Sequence, residues 1–375
     1  MQHQQAQSTH SHSDTNVYMA IEVSNKKWRL AFSDGSHERE VTILARQPEL
    51  LIRQIQRAKE KFNLPADTPV YSCYEAGRDG FWIHRMLVSK GVNNIVVDPA
   101  SIEVSRRMRR TKTDRLDAGK LRQMLIRHWA HGEKKIWSVL HVPNEEQEAA
   151  RRSHREAERL KKEKRQHMTR IKALLALHGL TPRTAKVDPQ KMRDWKGEEL
   201  RASWSEEIKR EQERLAMVEE QLAVLEKVRG DALKDPRTKE QRQAAQLAKL
   251  KGLGQETAWN LSYEFFGWRD FKNRRQVGSA AGMTGCPYSS GDSNREQGIS
   301  KAGNKRVRVW MTELGWRWLK WQPRSVLSKW FEARFGASGK RQRRVGIVAL
   351  GRKLLVELWK YLETGQAPEG AFVAG

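Results

Sequence analysis

The stretch from residue 145 to residue 178 contains neither glycine nor proline and is dense in charge. A segment of that length and texture folds as one long helix. A second, SEEIKREQERLAMVEEQLAVLEKV, spaces Ile208, Leu215 and Leu222 by sevens, with Val218 and Leu225 between them. The link that joins them, GLTPRTAKVDPQKMRDW, is broken by prolines. The pair predicts an antiparallel coiled-coil hairpin over residues 140–240; a solvated helical spacer gives the same pattern. Either way this middle region is an arm, and any chemistry belongs to the regions before and after it.

Upstream, VYMAIEVSNKKWRLAFSD reads as strand, turn and strand, and EVTIL as a third strand. PELLIRQIQRAKEKF has helical spacing at Leu51, Ile55 and Ala58. VYSCYEA is a short apolar strand, DGFWIHRMLVSKG a helix ending at Gly91, and VNNIVVDPA another strand. TDRLDAGKLRQMLIRHW closes the series as a helix. Three strands, a helix, a strand, a helix, a strand and a helix is the order of an α/β domain of ribonuclease H-like fold, here over residues 16–130. Residues 1–15 read as a polar, disordered leader that lacks the apolar core of a signal peptide.

Downstream, residues 245–370 form a third, mostly α-helical region. Its KGLGQETA resembles a helix-hairpin-helix turn, whose glycines let backbone amides approach a phosphate. A Gly/Ser/Asn-rich loop, AAGMTGCPYSSGDSNREQGISKAGNK, then runs into a basic helix. Trp310, Trp316, Trp318, Trp321, Trp330 and Trp359 lie among Arg and Lys in the closing helices. Most of them are expected in the core, with a minority able to stack on bases.

The 71 Lys and Arg outnumber the 45 Asp and Glu, for a net charge of +26, and they cluster in runs such as SRRMRR. A surface that basic favours a polyanion, of which nucleic acid is the commonest. The two cysteines stand far apart, which excludes a disulfide framework or Cys-rich zinc site and suits a reducing cytoplasm. No apolar run is long enough to span a bilayer, so a cytoplasmic, nucleoid-associated protein without a membrane partner is expected.

In this basic setting a few carboxylates stand out. Glu22 falls at the end of the first strand, Glu75 at the end of VYSCYE, and Asp114 and Asp117 open the last helix of the first domain. Residues three apart on a helix share a face. Carboxylates gathered from two strands and a helix repel one another unless a cation sits between them, and Mg²⁺ takes such oxygen ligands and bridges to phosphate. Any one of these acids alone reads as a helix cap or ion-pair partner. A second candidate is the serine of PYSSGDS, a nucleophile if Arg or Lys holds a phosphate beside it and otherwise a turn residue. No histidine is placed for a hydrolase triad.

These motifs resemble those of the DEDD transposases of insertion sequences that move under the guidance of a bridge RNA, the IS110 family and its IS1111-like group. The likeness is carried by AIEVSNKKWRLAF, CYEAGRDGF, KTDRLDA, LKGLGQETA, SAAGMTGCPYSSG and GISKAGNKRVR, and it covers nearly the whole chain after the leader. The resemblance implies a RuvC-like N-terminal domain of ribonuclease H fold, a coiled coil and a C-terminal transposase domain. It implies that Glu22, Glu75, Asp114 and Asp117 bind Mg²⁺ and that a serine attacks DNA to form a covalent phosphoserine link. The residue immediately before the loop glycine is Ser290, with Ser289 the alternative. It further implies homodimers that pair into tetramers, so that the acids of one subunit meet the serine of another. The noncoding bridge RNA would pair with donor and target DNA. Glu22 stands where the family has Asp. Two other readings remain open on the residues alone: a RuvC-like Holliday-junction nuclease that uses water, and a nucleic-acid-binding protein without catalysis.

Overall fold

The structure, a computed structural model, describes residues 16–77, 80–102, 114–290 and 293–373, with side chains at all of these but 100, 114–116, 288–290 and 293–296. The expected leader therefore lies outside the described residues. The chain divides between Pro143 and Asn144 into two compact units.

The first unit has the expected element order. Strands β1 (Val17–Val23), β2 (Lys27–Ser33) and β3 (Glu38–Leu44) are followed by helix α1 (Pro48–Lys61) and strand β4 (Val70–Glu75). Helix α2 (Trp82–Ser89), strand β5 (Asn93–Val97) and helix α3 (Asp114–Trp129) complete it. The five strands form one mixed sheet in the order β3-β2-β1-β4-β5. The three sequential strands are antiparallel, whereas β4 and β5 run parallel to β1. This mixed α/β arrangement is compatible with a ribonuclease H-like fold. Its two faces are built from opposite parities of the same strands. Met19 and Ile21 share a buried cluster with Leu51 and Ile55 of α1 and with Ile83 and Leu87 of α2. Tyr18, Ala20 and Cys73 instead share one with Leu121, Met124 and Leu125 of α3. The sheet is thus covered on both sides, which is why β1 is an unbroken apolar run up to Glu22.

The second unit opens with two long helices, α4 (Glu145–Ala176) and α5 (Ala202–Lys234). At about 1.5 Å per residue α4 extends roughly 48 Å. A capping box starts it: the Asn144 side chain accepts from the Gln147 N–H, and the Gln147 side chain accepts from the Asn144 N–H. Ile208, Leu215 and Leu222, the residues spaced by sevens, are all buried. Leu160 clusters with Leu222 and Ile171 with Ile208, so the two helices run antiparallel.

Short helices α6 (Lys239–Ala248) and α7 (Gln255–Leu261) follow, and α7 passes into a π-helical turn at Ser262–Phe266. Next come α8 (Arg274–Ala280), a hairpin of β6 (Gly285–Ser290) and β7 (Ser293–Ile299), and helices α9 (Lys305–Trp321), α10 (Val326–Phe335) and α11 (Lys340–Thr364). The hairpin replaces the loop expected there. Its register slips between Gly285 and Pro287, where a proline cannot donate to the ladder. The core of this region gathers Leu247, Phe265, Met311, Trp318, Leu354 and Leu358. Among the tryptophans, Trp318 is fully buried and Trp316 and Trp321 are exposed. Among the described residues no helix is long and apolar enough to cross a membrane.

Candidate active site

Glu22 and Glu75 occupy the carboxyl ends of neighbouring parallel strands. The register pairs Ala20 with Cys73 and Ile21 with Tyr74, so Glu22 and Glu75 follow side by side. Each lies two residues beyond a side chain that packs on α3, Ala20 and Cys73 respectively, and side chains two apart on a strand share a face. Both glutamates therefore stand on the α3 side of the sheet.

Helix α3 runs against the direction of β4. The Cys73 thiol lies 3.8 Å from the Leu121 carbonyl, and the Trp129 ring, two turns later, is 4.7 Å from the Tyr71 ring. The first turn of α3 is thereby directed toward the strand ends that carry Glu22 and Glu75. Asp117 is four residues before Leu121 on the same helical face, and it is half-buried. The backbone of Asp114 begins the helix, but its side chain lies outside the described residues, as does all of 103–113 with its arginines. Three of the four expected carboxylates are thus placed on one side of one sheet end. Among the described residues no group of three or more His, Cys, Asp or Glu side chains converges closely enough to hold a metal ion.

The support beneath these acids is buried and hydrogen-bonded, with Ala20, Cys73 and Val97 fully enclosed. Ala76 donates its N–H to the Val97 carbonyl, tying the chain just after Glu75 to β5, and the Tyr74 hydroxyl donates to the Gly80 carbonyl. Burial pushes the Cys73 thiol far up, so it stays protonated and serves as a small core residue. Arg29 of β2 pairs with Glu40 of β3 at 2.8 Å, and the buried Arg122 of α3 pairs with Glu38. Among the described residues, basic side chains of β2 and α3 therefore flank the acid-bearing face.

Ser290 lies in the other unit, as the last residue of β6, its backbone paired with Ser293 of β7; Ser289 pairs with Asn294. The side chains of both serines lie outside the described residues. The base of their hairpin is tightly interlocked. Ser300 donates its N–H to the Thr284 carbonyl, Lys301 to Gly282, and Asn304 to Ala280. Lys301 adopts a left-handed φ of 57°, a strained conformation for a residue with a side chain. Gly303 has φ +133°, and a Cβ there would fall 2.6 Å from both the Ala280 carbonyl oxygen and the Gly282 nitrogen.

Beside that base lies a buried ionic node that the sequence reading missed. Glu264, in the π-helical turn, is 2% exposed. Its carboxylate is 2.8 Å from His154 Nε2, and it accepts from Arg155 at 2.7 Å and from Asn304 Nδ2 at 2.9 Å. Burial alone would raise its pKa. The hydrogen bonds from His154 and Arg155, the Arg155 charge and Asn304 outweigh that and hold it well below the usual carboxylate range. The Trp268 ring nearby has Arg151 at 4.7 Å and Arg269 at 3.7 Å from its centroid, and Arg269 also donates to the Glu264 carbonyl. The signal was present as a single acid inside the apolar run NLSYEFFGW.

Comparison with known proteins places the chain. The Transposase IS116/IS110/IS902 family profile matches residues 244–328, the stretch from α6 into α10 that contains the serine hairpin and the Glu264 turn. A Sinorhizobium fredii (strain NBRC 101917 / NGR234) protein named "Putative transposase y4rJ" is 36% identical over 379 aligned positions, covering 95% of this chain and 94% of the relative. The chain belongs to this transposase family. A second protein of the same strain, "Putative transposase y4qE", is 27% identical over 309 positions, covering 82% of this chain and 73% of the relative. The family profile does not reach the first unit, whereas the y4rJ likeness takes in nearly the whole chain.

Proposed function

We propose that this member of the family is an insertion-sequence transposase that cuts and rejoins DNA through a covalent phosphoserine intermediate, directed by a noncoding bridge RNA. The observation that carries the reading is the placement of Glu22 and Glu75 on adjacent strand ends, on the face over which α3 presents Asp117. Asp114 joins them as the fourth acid. An all-carboxylate donor set suits a hard cation such as Mg²⁺, and these residues would hold it. Such an ion, when bound, offsets the charge of a phosphodiester and polarises it for attack. Glu22 reaches one methylene further than the family's Asp.

In this mechanism the Ser290 hydroxyl loses its proton to solvent and its oxygen attacks phosphorus. A serine–phosphate ester forms as one sugar oxygen leaves and is protonated. Attack by a sugar hydroxyl of a second strand reverses the chemistry, releases the serine and joins the strands. The acids and the serine lie in separate units of the chain, which suits a composite site shared between subunits of a dimer or tetramer. The net charge of +26 suits DNA and RNA as partners. The turn of residues 249–254 between α6 and α7 is read as a helix-hairpin-helix element, with Gly252 at φ +88°.

The test uses a plasmid carrying the element's ends together with the transcript of its noncoding flank. Ser290→Ala is expected to abolish both strand cutting and DNA-linked protein, whereas Ser289→Ala retains both. Glu75→Gln and Asp117→Asn are each expected to abolish cutting, as is chelation of Mg²⁺. A mixture of Glu75→Gln and Ser290→Ala chains should regain activity if the site is shared between subunits. Cutting that persists in Ser290→Ala without any protein–DNA adduct would instead establish a water-using nuclease. Omitting the RNA should abolish site choice; unchanged products without it would refute RNA guidance.

A further inference from the structure

Glu264 ties together three parts of the second unit that are remote in sequence. Its partners are His154 and Arg155 on the long arm helix α4 and Asn304 at the start of α9. Asn304 is also the N-cap of α9, accepting from the Arg306 and Val307 N–H groups, while its own N–H is held by the Ala280 carbonyl at the end of α8. The β6–β7 hairpin leaves and re-enters the fold between Ala280 and Asn304. The carboxylate therefore fixes the pedestal of the hairpin against the arm.

Three further features mark this as more than an ordinary internal ion pair. The acid sits in a π-helical turn, a costly irregularity that recurs at functional sites. Cations gather around it: Arg155 pairs with the carboxylate, while Arg151, only 7% exposed, and Arg269, which donates to the Glu264 backbone carbonyl, lie over the adjacent Trp268 ring. An apolar packing would hold the same elements without that desolvation cost. Finally, Arg306 on the first turn of α9 makes a second tie to the arm, 2.8 Å from Glu158, on the same side as Asn304. The elements are thus locked by directional bonds beside the root of the hairpin.

We infer that Glu264 is a positioning residue for strand cleavage, coupling the helical arm to the base of the Ser290 hairpin through Asn304. This rests on the phosphoserine reading. A nucleophile misplaced by about 1 Å loses on the order of 100-fold in rate while DNA binding elsewhere is spared. The coupling makes an exchange testable. Glu264→Gln removes the carboxylate, and Asn304→Asp sets two carboxylates against each other while keeping a competent N-cap. The double variant restores one amide facing one carboxylate, with their places exchanged.

The experiment measures single-turnover cutting of the element-end plasmid at saturating DNA, beside plasmid affinity and thermal melting of the full-length protein. Each single variant is expected to bind DNA as the unaltered protein does and to cut about 10- to 100-fold more slowly. The double variant should cut faster than either single one. Three results would overturn the inference: single variants that cut at the normal rate, slowing that tracks lost affinity or unfolded protein, or a double variant no faster than the faster single. If the unaltered protein cuts no better than Ser290→Ala, the phosphoserine reading itself has failed, and the two failures are thereby distinguished.

Discussion

Gly303→Ala isolates how tightly the root of the serine hairpin is built. Gly303 has φ +133°, which side chains rarely adopt, and a methyl there would meet the Ala280 carbonyl oxygen and the Gly282 nitrogen at 2.6 Å and the Ser279 carbonyl oxygen at 2.9 Å. The backbone strain costs about 1–3 kcal/mol. All three near atoms are backbone, so relief requires moving α8 away from α9, which adds about 1–3 kcal/mol of overpacking. The sum, roughly 2–6 kcal/mol, is a large part of the roughly 5–15 kcal/mol that holds a typical domain folded. Gly298 supplies the control, because it too has a positive φ, +87°, but nothing lies within 4 Å of its Cβ position. Gly298→Ala should cost only the strain, about 1–2 kcal/mol. Urea unfolding followed by circular dichroism gives the midpoints, and hydrogen exchange localises the damage. In Gly303→Ala the amides of Lys301 and Asn304, which donate to Gly282 and Ala280, should exchange faster. Equal midpoint losses for the two variants would refute the close interlock.

The arm offers a paired test: Leu222→Ala, at a buried heptad position, should destabilise by about 2–4 kcal/mol in urea, whereas Val224→Ala, 57% exposed on the same helix, should stay within about 0.5 kcal/mol. The pH dependence of the arm can be assigned to Glu211, which is buried between α4 and α5. Burial pushes its carboxyl up, but hydrogen bonds from His167 and Arg170 prevail and hold it below the usual range. Since the folded pKa is depressed, this stabilisation is present above the unfolded carboxylate pKa and is lost as pH falls through the lower, folded value. Glu211→Gln should thus melt earlier than the unaltered protein at neutral pH, with the gap closing in acid; a gap that does not vary with pH would exclude the assignment. The two cysteines should differ in reactivity. Cys286 is partly exposed and Cys73 fully buried with a raised pKa, so a thiol reagent should take up one equivalent in the native protein and two after denaturation.

What the chain discloses about itself depends on whether a signal is local. The period-2 and period-3.6 patterns sufficed for the first unit, since Val17–Ile21 packs on both faces and Leu51, Ile55 and Ala58 face one way. Glu22 and Glu75 were legible because each is the first acid to end a buried apolar run, and Asp114 and Asp117 because their spacing sets them on one turn. The β6–β7 hairpin is hard to read as strands because GCPYSS has no β-branched residue and SNREQGI only its terminal Ile299, yet the two segments pair as a ladder. The Glu264 node was less accessible still. Its partners are 110, 109 and 40 residues away, and no window of sequence contains them together. Only the cost of leaving a carboxylate unpaired in an apolar run pointed to it, and that cost names the need for partners without naming them. The same asymmetry orders the site itself. Groups proposed to touch DNA or metal sit at strand ends and a hairpin tip, where polar residues interrupt a pattern and stand out. The group that holds the hairpin's root in place sits within an apolar turn, where the fold must supply every one of its bonds. A search for chemistry in this family that stops at exposed acids and serines would recover the first set and pass over the second, and Glu264 is the residue at which the two can be told apart by experiment.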